Sequence, residues 1–446
     1  MHRDVVPVAR QRKCDLAPDP VRGPRDESHR RTQRAAALAS LRDHQRGQCT
    51  VTRMTEAARR RLEPADPGSA LAESGAIADS GRLVSRIVDE IDVQGGWIPF
   101  DRFMQRALYE PGLGYYAAKP AKIGPQGDFV TAPEISPLFG RALAAQVAQA
   151  FESVPRRLLE FGAGSGALAA GLIGELQRLG AAAESYSIVE VSADLRAAQQ
   201  VQLGDTMGAT RVRWLDAPPQ DFEGVIVANE VLDVMPVKIF ARRGGLTLER
   251  GVRAEGGTLR MAERPAGAEL RDSVARIEAD LGPLPDGYVS EVGLVAQAWT
   301  ATLPRWLRRG VALLIDYGFP RREYYHPQRA MGTLMCHFRH RAHDDPLWLP
   351  GLNDITAHVD FTAIAQAARE AGLEVLGYTS QARFLLDCGL LELLRDAPID
   401  AAGTAAALRL LSEAEMGELL KVMAVGREVP SPLRGFGSGD RLHRLA

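Results

Sequence analysis

The sequence predicts an α/β fold built on an open, mainly parallel, Rossmann-like sheet, and three observations carry that expectation. From Arg157 onward, short apolar runs alternate with segments of helical periodicity. The first of those runs ends in a glycine-rich turn that opens a helix. Two later runs, Val225–Asn229 and Val311–Tyr317, are almost continuously apolar, as strands covered on both faces must be.

Taken in order, the first 60 or so residues are rich in Arg and poor in large apolar side chains. Such a stretch buries too little apolar area to offset its ordering entropy, so residues 1–80 are expected to be a disordered or weakly ordered tail. An organellar targeting peptide is the sharper alternative, opposed by Asp4, Asp15, Asp19, Asp26 and Glu27. A translation start at Met54 is a third. Residues 81–152 form a helical and loop region. Leu83, Val84, Ile87, Val88 and Ile91 lie at helical spacing, and Phe100 to Leu108 continues the pattern. A stretch dense in Gly, Pro and aromatics follows, from Tyr109 to Pro137. A loop of that length is expected to be functional and to fold over a site as a lid. Ser136 is expected to cap the next helix, with Pro137 in its first position.

Residues 153–236 are expected to hold the ligand-binding core: strands at Leu158–Phe161, Tyr186–Glu190, Val212–Trp214 and Val225–Asn229, with helices between them. Gly244-Gly245 and Gly256-Gly257 punctuate residues 237–290, which are expected to be an inserted set of β-hairpins. Residues 291–446 complete the core with a helix near Val295–Leu307, the strand Val311–Tyr317, a helix at Phe361–Ala371 and strands at Leu373–Tyr378 and Leu419–Val425.

The balance of 54 basic and 56 acidic side chains gives no global reason to expect nucleic acid or an anionic membrane as partner. No apolar run reaches the roughly 20 residues that cross a bilayer, so stable membrane insertion is not expected. Cys14, Cys49, Cys336 and Cys388 form neither a CxxC pair nor a zinc-ligand set, and a reducing, cytoplasmic setting is the expectation. His337-x-x-His340-x-x-His343 would align on a helix. Arg339 and Arg341 would repel a cation there, so no metal is expected.

The turn Glu160-Phe161-Gly162-Ala163-Gly164-Ser165-Gly166 is the strongest local motif. Gly162, Gly164 and Gly166 let a ligand approach the backbone, and the helix behind them offers unpaired N–H groups. Glu190 ends the second strand, where an acid can accept hydrogen bonds from both hydroxyls of a ribose. Two ligands fit this pattern. Gly162-x-Gly164-x-x-Ala167 satisfies a dinucleotide fingerprint and would suit NAD. Glu160 supplies the leading acid that S-adenosyl-L-methionine sites place before the turn, where it helps anchor the amino-acid end. The fourth strand then leaves the sheet through Asn229-Glu230-Val231-Leu232-Asp233-Val234-Met235-Pro236. If that segment curls into a helix, Glu230 and Asp233 share one face. Two carboxylates can hold a guanidinium and one can take its proton, while Asn229 offers an amide oxygen to an incoming amine.

At these residues the chain resembles the MidA-like methyltransferases. The resemblance runs through most of 96–435. It rests on Leu108 to Tyr116, Gly127-Asp128-Phe129-Val130-Thr131, Pro133-Glu134-Ile135-Ser136, Glu160 to Leu168, Val189 to Ser192, Ala228 to Pro236, Ile315-Asp316-Tyr317-Gly318, Gly332-Thr333-Leu334, Asp354 to Phe361 and Met416 to Val422. It implies a class I methyltransferase fold, S-adenosyl-L-methionine as methyl donor, and a protein substrate carrying a target arginine. For a mitochondrial member of the family that substrate is a subunit of respiratory complex I. The residues expected at the donor are Glu160, Gly162, Gly164, Gly166 and Glu190. Those expected to be catalytic are Glu230, Asp233, Asn229 and, from the loop, Asp128, where Asp128 and Glu134 would add carboxylates near a cationic ligand. The alternatives are an NAD-dependent oxidoreductase and a non-catalytic assembly factor on the same fold.

Overall fold

A computed structural model describes residues 67–118, 131–204, 208–339, 341–396 and 400–446. Asp128, with Gly124, Gly127 and the Arg-rich stretch 1–66, lies outside the described residues. The chain divides into two compact units, Met1–Ala72 and Glu73–Ala446.

Described structure begins earlier than Gly81, with the helix Pro67–Val93. Leu83, Ile87 and Ile91 form its buried stripe. The short strand β1 (Ile98–Pro99) leads into the helix Phe100–Tyr109, which buries Phe100, Phe103, Met104, Ala107 and Leu108. The chain then makes a single helical turn, Ala132–Ile135, and the helix Leu138–Ala150. Pro137 occupies a helical conformation before Leu138, and the Leu138 N–H donates to Ser136 Oγ at 3.3 Å. Ser136 therefore caps as its sequence suggests.

The core follows as β2 (Arg157–Phe161), helix Ala167–Arg178, β3 (Ser185–Val189), helix Ala193–Leu203, β4 (Arg211–Leu215) and β5 (Phe222–Asn229). The insertion contributes β6 (Lys238–Arg243), β7 (Leu246–Glu255), β8 (Thr258–Pro265), helix Ala268–Leu281 and β9 (Val289–Val292). Helix Leu294–Trp306 returns the chain to the main sheet at β10 (Leu307–Phe319). A small excursion, β11 (Met335–Phe338), β12 (Arg341–His343) and β13 (Asp354–Thr356), precedes β14 (Val359–Asp360), helix Phe361–Glu370 and β15 (Glu374–Ser380). Helices Gln381–Asp387, Leu390–Asp396 and Ala401–Leu411 lead to β16 (Leu420–Arg427).

The eight-stranded sheet runs β15-β16-β10-β5-β2-β3-β4, with β14 beside β10. Its pairs from β4 to β10 are parallel, and β16 is antiparallel to both β10 and β15. Leu158, Val225, Val227 and Leu313 enter one core with Leu143 and Leu172. Their sequence neighbours Leu159, Ile226 and Leu314 enter the opposite core with Leu303 and Ile364. Both faces are covered, which is why these strands read as unbroken apolar runs.

The insertion is more than hairpins. Its strands make a five-stranded antiparallel sheet that recruits β1, pairing Ile98 with Val252. Helix Ala268–Leu281 packs Leu270, Val274 and Ile277 against Phe240 and Tyr288. A further core mixes Leu83, Ile87, Phe103 and Met104 with Val237, Ile239 and Val252. The N-terminal region and the insertion are thus one layered unit, because neither buries its apolar face alone.

Candidate active site

At the end of β2 the backbone enters the left-handed region at Gly162 (φ 65°), Gly164 (φ 54°) and Gly166 (φ 89°), then starts the helix Ala167–Arg178. A side chain at any of the three would be strained. The turn is held from outside by Gln199, which is fully buried on helix Ala193–Leu203. Its amide nitrogen donates to the Gly164 carbonyl at 2.9 Å and to Glu190 Oε2 at 3.2 Å, and its oxygen accepts from Trp214 Nε1 at 2.8 Å. Glu190 Oε1 accepts the Ser192 N–H at 2.9 Å. Glu160 lies beneath the turn, 2% exposed, accepting the Tyr186 hydroxyl at 2.8 Å. Burial, with the Glu190 charge adding, pushes its carboxyl up to about 7.

A cavity of about 960 Å³ opens at the carboxyl ends of β2, β3, β5 and β10. Glu160, Gly162, Gly164, Glu190, Asn229, Glu230 and Asp233 all line it. Gly166 does not. It sits behind the turn at the helix start, where an added Cβ would meet Gln199 at 3.5 Å, so its part is to shape the turn.

The exit from β5 makes a tight turn rather than a helix, so the condition for Glu230 and Asp233 to share a helix face is not met. Glu230 takes a left-handed conformation (φ 54°), its N–H donating to the Ile315 carbonyl at 2.8 Å. Non-glycine residues adopt that conformation rarely, and a buried acid holds the residues that follow. Asp316 Oδ2 accepts the N–H groups of Val231 (3.1 Å), Leu232 (2.7 Å) and Asp233 (3.4 Å), while its Oδ1 accepts that of Tyr317 at 2.9 Å. Sequence reasoning quoted Asp316 but gave it no role. Glu230 Oε1 accepts from Asn229 Nδ2 at 3.1 Å and from the Ala132 N–H at 3.4 Å. Asn229 Oδ1 and Asp233 Oδ1 are buried with no hydrogen-bond partner among the described residues. Burial first, then the Asp316 charge, pushes Glu230 up to about 8. The same causes, joined by Glu230 and Asp354, carry Asp233 well above the usual carboxylate range. Burial also raises Asp316 to about 7, against its four backbone donors. Among the described residues, no Lys or Arg forms an ion pair with Glu230 or Asp233.

The facing wall comes from distant segments. Tyr109 and Tyr116 stack at 5.7 Å between ring centres, their planes 22° apart. The Tyr109 hydroxyl donates to the Val234 carbonyl at 3.0 Å, and that of Tyr116 to Asp354 Oδ1 at 2.8 Å. The buried Glu291 on β9 accepts the N–H groups of Thr333 and Leu334. Thr333 Oγ1 in turn accepts the His358 N–H at 3.0 Å. Thr333, His337, Asp354 and His358 line the cavity. Burial, with the Arg329 and Lys421 charges, lowers His358 to about 4 and keeps it neutral. His337 and His343 lie on the paired strands β11 and β12, not on one helix. No cluster of three or more His, Cys, Asp or Glu suited to a metal occurs among the described residues.

Residues 142–379 match the sequence model of the S-adenosyl-L-methionine-dependent methyltransferase family. The chain belongs to that family. The methyltransferase is also 29% identical over 350 residues to the mitochondrial homologue of protein arginine methyltransferase NDUFAF7 from Drosophila melanogaster, covering 71% of this chain and 76% of the relative. To the Bos taurus protein arginine methyltransferase NDUFAF7 it is 26% identical over 402 residues, covering 77% and 87%. A crystal structure from Burkholderia thailandensis with S-adenosyl-homocysteine bound superposes with a TM-score of 0.79 at 48% identity, covering 86% of this chain and 99% of that one. A native structure from the same organism gives 0.77 at 47% identity, with the same coverage.

The methyltransferase's residues suit its donor. The turn carries no Cβ at Gly162 or Gly164, and both glycines face the cavity. Glu190 has each oxygen held by one donor and retains lone pairs for ribose hydroxyls. The dinucleotide alternative gives way to the family assignment. Gln199, Asp316, Glu291 and the Tyr116–Asp354 pair escaped sequence reasoning. No repeat or fixed spacing in the sequence ties any of them to its partner.

Proposed function

We propose that this methyltransferase modifies a side-chain nitrogen of arginine in a protein substrate. The observation that supports this reading most is the anionic exit of β5. Glu230 and Asp233 crowd with Asp316 and Asp354 at one end of the cavity, and two buried oxygens there, Asn229 Oδ1 and Asp233 Oδ1, lack donors. A guanidinium brings five N–H donors in a planar fork and one positive charge. It would satisfy both oxygens and offset the crowded charge. The relatives named as protein arginine methyltransferases point the same way.

The bound donor supplies an electrophilic methyl group on a sulfonium, and everything else falls to the protein. Asp233 and Asn229 hold the guanidinium in plane. Glu230 accepts the proton that the attacking nitrogen loses as the carbon–nitrogen bond forms and the carbon–sulfur bond breaks. The raised value of Glu230 gives the carboxylate a basicity suited to that task near neutral pH. Asp128 is proposed as a further carboxylate toward the cationic ligand, on the sequence resemblance alone. A cytoplasmic setting and a respiratory complex I subunit as acceptor complete the reading. No helix among the described residues is long and apolar enough to cross a membrane.

The test is mass spectrometry of candidate protein substrates incubated with enzyme and methyl-labelled donor. Methylarginine at one site, lost when that arginine is replaced by lysine, is the expected result. Label on lysine, on a carboxylate or only on small molecules overturns the arginine assignment.

A further inference from the structure

The helical turn Ala132–Ile135 touches both ends of the cavity. Its Ala132 N–H donates to Glu230 Oε1, at the acceptor end. Two residues on, Glu134 lines the cavity beside Ser165 of the glycine turn; burial raises its carboxyl, and the Ser165 hydroxyl partly offsets this. The Ser165 hydroxyl accepts the Ala167 N–H at 3.3 Å. The turn itself is fixed, since the Glu134 and Ile135 N–H groups both donate to the Thr131 carbonyl.

Glu134 lines the cavity, and its buried Oε2 has no hydrogen-bond partner among the described residues. The other buried acids beside the donor turn each already hold at least one donor from the protein. Glu160 carries the Tyr186 hydroxyl, and Glu190 carries the Ser192 N–H and Gln199. Asp194 is exposed. A buried carboxylate oxygen without a donor costs free energy unless a ligand completes it.

We infer that Glu134 binds the α-ammonium group at the amino-acid end of the methyl donor. The ammonium brings three N–H donors and a positive charge, and Glu134 Oε2 is the unfilled acceptor next to the glycine turn. Glu190 faces the ribose, so the two acids divide the donor between them: one reads its sugar, the other its amine. Glu134 is then a binding residue, and Glu160 below it supports the turn through Tyr186.

The experiment compares two ligands by calorimetry on the whole chain, with no acceptor present. S-adenosyl-homocysteine carries the ammonium, whereas 5′-methylthioadenosine keeps the adenosine and lacks the whole amino-acid end. Glu134→Gln should weaken S-adenosyl-homocysteine about ten- to a hundred-fold, the scale of one charged hydrogen bond. It should leave 5′-methylthioadenosine within about two-fold. Glu190→Gln should weaken both ligands alike. Equal losses on both ligands in Glu134→Gln would show that Glu134 only shapes the turn, and no loss on either would show that it does not touch the donor. Each overturns the inference. Unchanged binding of 5′-methylthioadenosine also reports that the variant is folded. Because no acceptor enters, the outcome is independent of the arginine assignment.

Discussion

The donor half of the cavity hangs from consecutive elements of the parallel sheet, whereas the acceptor half is gathered from loops spread between Tyr109 and His358. On the donor side, Glu160, the glycine turn and Glu190 are fixed by the ladders of β2 and β3 and need only Gln199 to lock them. On the acceptor side Asn229 ends the β5–β10 ladder and His337 pairs with Asp354, but Glu230, Asp233 and Thr333 lie beyond any strand. Two buried acids stand in for a ladder there: Asp316 clasps the backbone of Val231 to Asp233, and Glu291 clasps Thr333 and Leu334. A surface made this way can be re-aimed by changing one loop while the donor turn stays as it is. In physical terms, donor chemistry is set by regular structure and acceptor choice by buried charge.

Breaking each half separately should give the largest effects. Glu230→Gln keeps the size of the side chain and removes its charge. It should slow single-turnover methyl transfer by roughly two to four orders of magnitude, with S-adenosyl-homocysteine affinity unchanged by calorimetry. Gly164→Val places a branched residue at φ 54° against the cavity and should abolish donor binding while leaving a folded protein. If Glu230→Gln lost donor binding too, the division into halves would fail.

Removing a clasp comes next. Asp316→Ala strands the backbone donors of Val231, Leu232 and Tyr317, at a cost of about 1–3 kcal/mol for each that water cannot reach. A lower melting temperature and slower transfer are expected, with donor affinity reduced much less than turnover. Asp316→Asn retains one acceptor oxygen and should recover part of the stability.

Titration sharpens the comparison at a smaller scale. Glu230 is raised from 4.5 to about 8 in the folded protein, chiefly by burial. Between those values the folded form keeps a proton that the unfolded form has released, so the contribution of Glu230 to stability falls as pH rises through that window. Activity runs the opposite way. A protonated Glu230 can neither hold a cation nor take its proton, so kcat/KM should climb with pH toward a plateau above about 8. A pH-independent profile in the parent enzyme would contradict this assignment. The smallest effect belongs to Tyr109→Phe, which keeps the stacked ring and loses one hydrogen bond to Val234, worth about 0.5–1.5 kcal/mol. KM for the acceptor should rise less than about ten-fold, with kcat nearly unchanged.

The same contrast explains what the sequence made legible. Apolar runs, helical periodicity and the glycine turn located the core strands to within a few residues, because both sheet faces and the turn impose local patterns. The paired glycines at 244–245 and 256–257 marked true tight turns, with positive φ at all four. The acceptor wall left no such trace. Asp316 reaches Leu232 across 84 residues, and Tyr116 reaches Asp354 across 238. Single polar residues meeting over such distances have no period to detect. Glu230 was found by its chemistry, but its left-handed backbone, tied to Ile315 on β10, left no mark in the sequence. The insertion looked independent because β1, its partner strand, is only two residues long.

The antiparallel strand β16 sets a timetable for assembly. It lies between β10 and β15, pairing Leu313 with Ala424 and Thr379 with Val422, yet it follows both in the chain. As the ribosome delivers the polypeptide from its N-terminus, β10 and β15 emerge with nothing between them. Their facing edges stay unpaired, and the apolar surface around them stays wet, until residue 427 has cleared the exit tunnel. The glycine turn and the carboxylate exit of β5 are already synthesised by then, but the sheet that holds them cannot close. A nascent chain stalled before Leu420 should therefore be a client for chaperones, however complete its binding residues.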